Sequence, residues 1–464
     1  MNTDSGPEVL ARSVIDACTD CDECRYLMQS ECLLFDELYR LHDREAREGK
    51  PVSGSELRHL VNLCNYCGLC VCPDIRAAII ESRTRYIERE GLPLGMRLMT
   101  RIEVISKIAG LVPEAARAAV CNGSIGGMLK RLAGIHPDRR LPAVPKASFP
   151  EWAKREGLDR KPAVSSSPKV AYFTGCTGRR LFPEVPRSVV QLFRRFGVSV
   201  YYPQEHCCGM PAFVEGDRRQ ALKRVGSTVE RLASLVDEGF SIVCSCPTCG
   251  YLLKTVIREQ AYFSDAYQAL AGGDDRNFVV PDNRNPSTSS STRRMMRLPK
   301  NMYGKILKDD GYFASIDPIR RIRAGENTFD AGEYLLNHIR GNGEHPEFSE
   351  LPGRLAYFVP CHQREQKIGR PYLELLRAVP RLEMDVIDGP FDCCGMGGNM
   401  GFKKDFHDAS IRTAEPLMKK IEKGNFSAVA TDCLSCRLQF THLTVLPVFH
   451  PAEILLKSLS SCHH

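Results

Sequence analysis

One order of cysteines, C…CCG…CxxC, occurs twice in the chain, and each time it is threaded through the same succession of apolar and amphipathic segments. The first copy uses Cys176, Cys207, Cys208, Cys246 and Cys249, and the second uses Cys361, Cys393, Cys394, Cys433 and Cys436. An apolar run, "VAYFTGC" or "LAYFVPC", leads into the first cysteine of each copy and reads as a buried strand. "SVVQLFRRFG" and "YLELLRAVP" read as amphipathic helices, the first closed by Gly197. "VSVYYPQEHCCG" and "LEMDVIDGPFDCCG" read as strands running into the doublet. A longer helix follows, with Leu222, Val225, Val229, Leu232 and Val236 on one face in the first copy. Each copy then closes on a glycine and a strand, "GFSIVCSCPTC" and "GNFSAVATDCLSC". Strand–helix alternation predicts α/β units with parallel pairing and cysteines at strand ends. The expectation is a duplicated α/β module over 166–260 and 353–460. The intervening 261–352 reads as an insertion, flexible over 283–298, where "NRNPSTSSSTRR" is polar and low in complexity.

Ahead of the repeat lie "CTDCDECRYLMQSEC" (Cys18, Cys21, Cys24, Cys32) and "CNYCGLCVCP" (Cys64, Cys67, Cys70, Cys72). Three cysteines at i, i+3 and i+6 wrap a loop around one small object, and a fourth arrives from elsewhere. This is the ferredoxin arrangement for a [4Fe–4S] cubane, in which the cysteine before proline serves the other cluster of a pair. By that rule Cys18, Cys21, Cys24 and Cys72 hold one cluster, and Cys64, Cys67, Cys70 and Cys32 hold the second. Only Val71 separates Cys70 from Cys72, where the usual run has three residues, and seven residues lie between Cys24 and Cys32. The loops must therefore depart from the ferredoxin pattern, and the partners of Cys32 and Cys72 stay open. Zinc, whose ligands come as two separated CxxC pairs, fits two copies of CxxCxxC poorly. An α-helical, ferredoxin-like two-cluster domain is expected over 1–90. A helical connector follows over 91–165, its apolar helices between 93 and 120 read as cover for the core.

Composition bears on the environment. The chain has 21 cysteines in 464 residues, a polar beginning "MNTDSGPEVLARSV" and no apolar run long enough to span a bilayer. Disulfide-rich secreted scaffolds are short and carry a signal, so a reducing cytoplasm with thiols as metal ligands is the expectation. The net charge of +7 does not suggest a nucleic-acid binder and is compatible with peripheral contact at an anionic membrane face.

Five thiols per repeat exceed what a cubane or one zinc needs, and a disulfide would leave three over. An iron–sulfur assembly of unusual shape accepts both neighbours of a doublet; no catalytic residue is identified, and Cys393 and Cys394 are candidate cluster ligands. Gly395, Gly397 and Gly398 suit close backbone approach and N–H donation to sulfur. A redox dithiol or zinc knuckle is the competing reading. Cys244 reads as the buried end of a strand, and Cys121 and Cys462 match no motif. His206 and His362, beside cluster cysteines, read as loop histidines bonded to backbone in preference to proton relays. Asp392 and Asp432 read as turn caps. No nucleotide-binding glycine fingerprint is visible, so a flavin would belong to a partner chain.

The motifs "YFTGC", "CCGMP", "PCH", "CCGMGGNMGFKK" and "TDCLSC" resemble the cysteine-rich CCG domains of heterodisulfide reductase-type proteins. With a two-cluster domain in front, the plan is similar to the iron–sulfur subunits of anaerobic glycerol-3-phosphate dehydrogenase and glycolate oxidase. It is similar too to the fused iron–sulfur subunit of heterodisulfide reductase. The resemblance implies two noncubane [4Fe–4S] clusters, on Cys176, Cys207, Cys208, Cys246 and Cys249 and on Cys361, Cys393, Cys394, Cys433 and Cys436. It also implies an electron-transfer subunit between a flavoprotein dehydrogenase and menaquinone or a cytochrome b partner. The alternative it implies is cleavage of a disulfide substrate at a noncubane cluster.

Overall fold

The computed structural model describes residues 6–70, 72–99, 124–142, 145, 147–162, 167–282, 294–304 and 307–460. Cys121, Cys462 and most of the expected connector helices therefore lie outside the described residues. Each cysteine repeat folds around a four-stranded parallel sheet. Strands β1 (Lys169–Phe173), β2 (Ser199–Tyr201), β3 (Ser241–Cys244) and β6 (Thr328–Asp330) stand in the order β2-β1-β3-β6. Strands β7 (Gly353–Phe358), β8 (Leu382–Ile387), β9 (Ala428–Thr431) and β10 (Val448–Phe449) stand in the order β10-β9-β7-β8. All of these pairings are parallel, as uninterrupted apolar strands joined by helices require.

Matching β1 to β7, β2 to β8 and β3 to β9 makes β6 the counterpart of β10. The first unit accordingly does not end at residue 260. Its last strand and the helix Ala331–Gly341 lie beyond an insertion, as β10 and the helix Pro451–Ser460 close the second unit. Asp330 caps its helix in a capping box with Glu333, and the backbone N–H of His450 bonds Glu453 at the equivalent place. Three residues of β6 carry too little periodicity to be recognised alone. The insertion is also ordered at an end expected to be flexible. β5 (Met295–Pro299) pairs antiparallel with β4 (Asn277–Pro281), whose apolar "FVVP" supplies the partner.

The two sheets share a core. Val170, Tyr172 and Val243 of the first pack in one cluster with Leu355, Tyr357 and Ala430 of the second, sealed by Leu335, Ile339, Ile454 and Leu455 of the two closing helices. The N-terminal region is all helix: α1 (Pro7–Cys21), α2 (Glu23–Met28), α3 (Leu33–Glu48), α4 (Gly54–Asn62) and α5 (Pro73–Glu90). Its core of Val14, Ile15, Phe35, Leu38 and Leu60 also takes in Met400 and Phe406 of the second repeat, so the helices are packed onto that module.

Candidate metal centres

Parallel sheets place their loops at the carboxyl ends of the strands, where open α/β folds hold ligands. All ten repeat cysteines are there. Cys176 lies in the first turn of the helix Gly175–Arg180 after β1, and Cys361 opens the helix Cys361–Arg364 after β7. Cys246 and Cys433 are the N-caps of the helices Pro247–Tyr251 and Leu434–Leu443, and Cys249 and Cys436 lie one turn further in. The doublets follow β2 and β8, each ending in a glycine at positive φ, +106° for Gly209 and +76° for Gly395. The strand-end positions expected from the sequence are, for Cys176, Cys246, Cys249, Cys361, Cys433 and Cys436, the first turns or N-caps of the helices that follow, whose free N–H groups favour negative charge.

In the first repeat Cys176, Cys207, Cys208, Cys249 and Cys246 lie close enough for each to perturb the ionisation of the next. A Cβ at Gly175 would come within 2.9 Å of Cys249 Sγ, so the glycine keeps space beside the sulfurs. In the second repeat Cys436 neighbours Cys394 and Cys433, and Cys361 neighbours Cys393, Cys394 and Cys433. The Gly395 N–H donates to Cys393 Sγ at 3.3 Å, the sulfur contact expected of that glycine.

The eight N-terminal cysteines gather crosswise. Cys18 and Cys21 end α1, Cys24 lies in α2, and Cys72 caps α5. α5 lies against α1, with Ser82 Oγ donating to the Pro7 carbonyl at 2.8 Å, and this carries Cys72 to Cys18, Cys21 and Cys24. Cys32, the N-cap of α3, instead meets Cys64, Cys67 and Cys70 on the loop before α5. Tyr66 and Gly68 turn that loop in left-handed conformations, φ +51° and +91°. Cys21 and Cys72 are exposed, so the first quartet lies at the surface. The second adjoins the second repeat, Cys67 beside Cys361 and Cys393, and Cys32 beside Cys393, around a narrow cavity that Phe391 also lines.

The donor chemistry calls for a cation. Burial pushes the thiols of Cys18, Cys32 and Cys67 up to about 12, with neighbouring thiols adding to it. Burial likewise raises Cys361 and Cys436 well above the ordinary range, whereas hydrogen bonds from Cys207 and Cys249 hold Cys208 below it. Four or five thiolates in one low-dielectric site ionise together only around a positive centre. These sets therefore fit metal or iron–sulfur ligation.

His362 ties three thiol groups together. Its Nε2 is 3.0 Å from the carbonyl of Tyr66, inside the Cys64–Cys67 loop, and its Nδ1 is 3.0 Å from Thr248 Oγ1, inside the Cys246–Cys249 turn. A carbonyl only accepts, so Nε2 carries the proton and Thr248 donates to Nδ1. His362 is thus a buried histidine bonded to backbone, while His206 is exposed. Asp392 caps the turn before the second doublet, accepting from Gly389 N–H at 2.9 Å. Asp432 does not cap its turn through that oxygen; its Oδ2 accepts from Tyr357 at 2.6 Å. Cys244 is the buried last residue of β3.

Two arginines missed by sequence reasoning brace the site. Arg83 donates to the carbonyls of Val61, Cys64 and Val214 at 2.7, 2.7 and 2.8 Å, fastening the Cys64 loop to the first repeat. Arg364 donates to the Gly389 carbonyl at 2.6 Å, holding the strand-to-doublet turn. Nothing local marks them among 63 lysines and arginines.

The family profile of the cysteine-rich domain, CCG, matches residues 170–254 and 355–441. The chain carries two CCG domains. Over 324 residues it is 24% identical to a subunit of the anaerobic glycerol-3-phosphate dehydrogenase of Escherichia coli, covering 69% of this chain and 66% of that protein, just under two thirds of the relative's length. It is 26% identical over 285 residues to an uncharacterized iron-sulfur protein of Methanocaldococcus jannaschii, covering 61% of this chain and 43% of that one. It is 23% identical over 300 residues to lactate utilization protein A 2 of Bacillus cereus, covering 63% of this chain and 99% of that one. Both CCG domains are complete in their five cysteines. Among the described residues no helix is long and apolar enough to cross a membrane.

Proposed function

We propose that the chain is the iron–sulfur electron-transfer subunit of an oxidoreductase complex. Its helical N-terminal region is a ferredoxin-like domain for two cubane [4Fe–4S] clusters, on Cys18, Cys21, Cys24 and Cys72 and on Cys32, Cys64, Cys67 and Cys70. Its CCG domains each hold a noncubane cluster on five cysteines. The observation that carries this reading is contiguity. Thiol groups succeed one another from the second quartet to Cys361 and Cys393, and across His362 and Thr248 to the first CCG domain, while the first quartet, exposed at Cys21 and Cys72, is built on the same helical core as the second. Iron–sulfur clusters, when bound, supply one-electron carriers whose potentials respond to net charge, hydrogen bonds and exposure. The chain's own part is to keep the thiol groups at fixed separation, through Arg83, Arg364 and His362, and to bury Cys207, Cys208, Cys246, Cys249, Cys394, Cys433 and Cys436 away from water. The relatives' printed names support a dehydrogenase setting. In it a flavoprotein subunit delivers electrons and a membrane quinone or cytochrome b partner takes them, with the chain at the cytoplasmic membrane face.

A second reading, cleavage of a disulfide substrate, is favoured by one feature. Of the second domain's five thiols, Cys361 and Cys393 are only half-buried and line the cavity, whereas Cys394, Cys433 and Cys436 are buried.

Protein purified without oxygen is expected to be brown, to hold about four irons per thiol group and to bleach with dithionite. A colourless, iron-free, folded chain overturns the proposal. Single-turnover mixing with a small disulfide, followed by EPR, separates the two readings: a new paramagnetic signal on oxidant-free addition supports cleavage, and none supports transfer alone. The crosswise grouping has its own check. Cys72→Ser should give the same EPR lesion as Cys18→Ser, and Cys32→Ser the same as Cys64→Ser. The opposite pairing, Cys72→Ser matching Cys64→Ser, refutes it.

A further inference from the structure

Arg139 lies on the segment after the helix Ser124–Leu132, outside both CCG matches, and is 0% exposed. Its guanidinium reaches the back of the second thiol group. Nη1 donates to Gln439 Oε1, Nη2 lies 3.2 Å from Met396 Sδ, and the cation stands 5.1 Å from the centre of the Phe402 ring. Gln439 in turn donates to Ser410 Oγ, which donates to the carbonyl of Gly395, next to Cys394. Nε has no hydrogen-bond acceptor, and among the described residues no carboxylate pairs with this arginine. The acidic group that faces it is the Cys394 thiol. Burial, with the guanidinium adding to it, lowers the pKa of His407 and of His442 nearby. A buried cation with only neutral partners is costly, and that cost is relieved when an anion occupies the site in front of it.

The first CCG domain is built differently. There the buried Arg179 donates to the carbonyl of Glu205 and lies 4.0 Å from its Oε1. The Glu205 side chain also accepts from the backbone N–H and the hydroxyl of Thr174. Arg179 thus has an acid of its own domain beside it, as Arg364 of the second domain has Asp388, whereas Arg139 has none among the described residues.

We propose that Arg139 is the countercharge of the second CCG site and makes that site easier to reduce than the first. The inference rests on the reading that both sites hold anionic iron–sulfur assemblies. Adding an electron increases their negative charge, and a fixed cation in a low-dielectric surrounding favours the reduced form. The two domains, alike in their ligands, would then differ in potential because of a residue contributed from outside both.

The test is a dithionite redox titration of the anaerobically purified full chain, following both CCG signals by EPR and assigning them with Cys208→Ser and Cys394→Ser. In Arg139→Gln the second signal is expected to shift by about tenfold in its reduction equilibrium, about 59 mV lower for one electron, with the first signal unmoved. Gln439→Glu sets a carboxylate on the same guanidinium at nearly unchanged volume, so it reads the charge even if Arg139→Gln fails to fold. It should give the same downward shift, and Arg139→Lys should retain most of the original potential. An unmoved second signal in Gln439→Glu at full iron content overturns the countercharge role and leaves the iron–sulfur reading standing. Both signals shifting together would mark general loosening and also overturn it. A chain without iron would bring down both.

Discussion

Gly395→Ala is expected to cost on the order of 3–5 kcal/mol and to empty the second CCG site, while Gly209→Ala, at the equivalent glycine, costs visibly less. Both residues have positive φ, where any side chain adds roughly 1–2 kcal/mol of strain. What differs is the neighbour. A Cβ on Gly395 would lie 2.1 Å from the carbonyl oxygen of Ser410 and 3.2 Å from the backbone N of Ala414, inside the helix His407–Lys423. Relieving that contact means moving a helix, and overpacking of this sort adds roughly 1–3 kcal/mol or more. On Gly209 the nearest atom is Val225 Cγ2 at 2.7 Å, a methyl that can yield by rotation of its own side chain. Denaturant midpoints and iron per chain check the ordering. Equal losses in the two variants would show that backbone strain alone governs the doublet turn and that the helix carbonyl is irrelevant.

Arg83→Met should destabilise the chain by about 3–5 kcal/mol, since hydrogen bonds from a charged donor are worth roughly 1.5–3 kcal/mol each and do not add fully. The substitution keeps much of the apolar bulk but orphans three buried carbonyls at once, those of Val61, Cys64 and Val214. Two of them position the loop bearing Cys64, Cys67 and Cys70, and the third belongs to the first CCG domain. Loss should therefore appear as faster proteolysis of the N-terminal helices and as reduced iron in the quartet of Cys32, Cys64, Cys67 and Cys70. Arg83→Lys should not rescue, because a single ammonium cannot reach three carbonyls arranged for a fork. A melting temperature and iron content equal to the parent's would refute this account of the junction.

Much of the architecture was legible because its signals are local. Apolar runs such as "VAYFTGC" and "LAYFVPC" are β1 and β7, and the apolar face read from Val225 to Val236 is buried in the helix Arg218–Asp237. Leu222, assigned to the same face, is only half-buried and lies at its edge. β6 escaped because a long insertion precedes it and three residues show no period. Asp432 was read as a turn cap, but its Oδ2 turns to Tyr357, a strand residue 75 positions away.

By itself, then, the order of residues determined the duplication, the α/β character of each unit and the candidate ligands, since strand and helix periods and cysteine spacing act over a few residues. Only the packed chain decided that Cys72 joins Cys18 and Cys32 joins Cys64, that His362 reaches both Tyr66 and Thr248, and that Arg139 stands behind Cys394. Those meetings follow from how α5 lies on α1 and how the two sheets share one core. Such long-range contacts are set by the burial of whole faces, and no stretch of neighbouring residues encodes them.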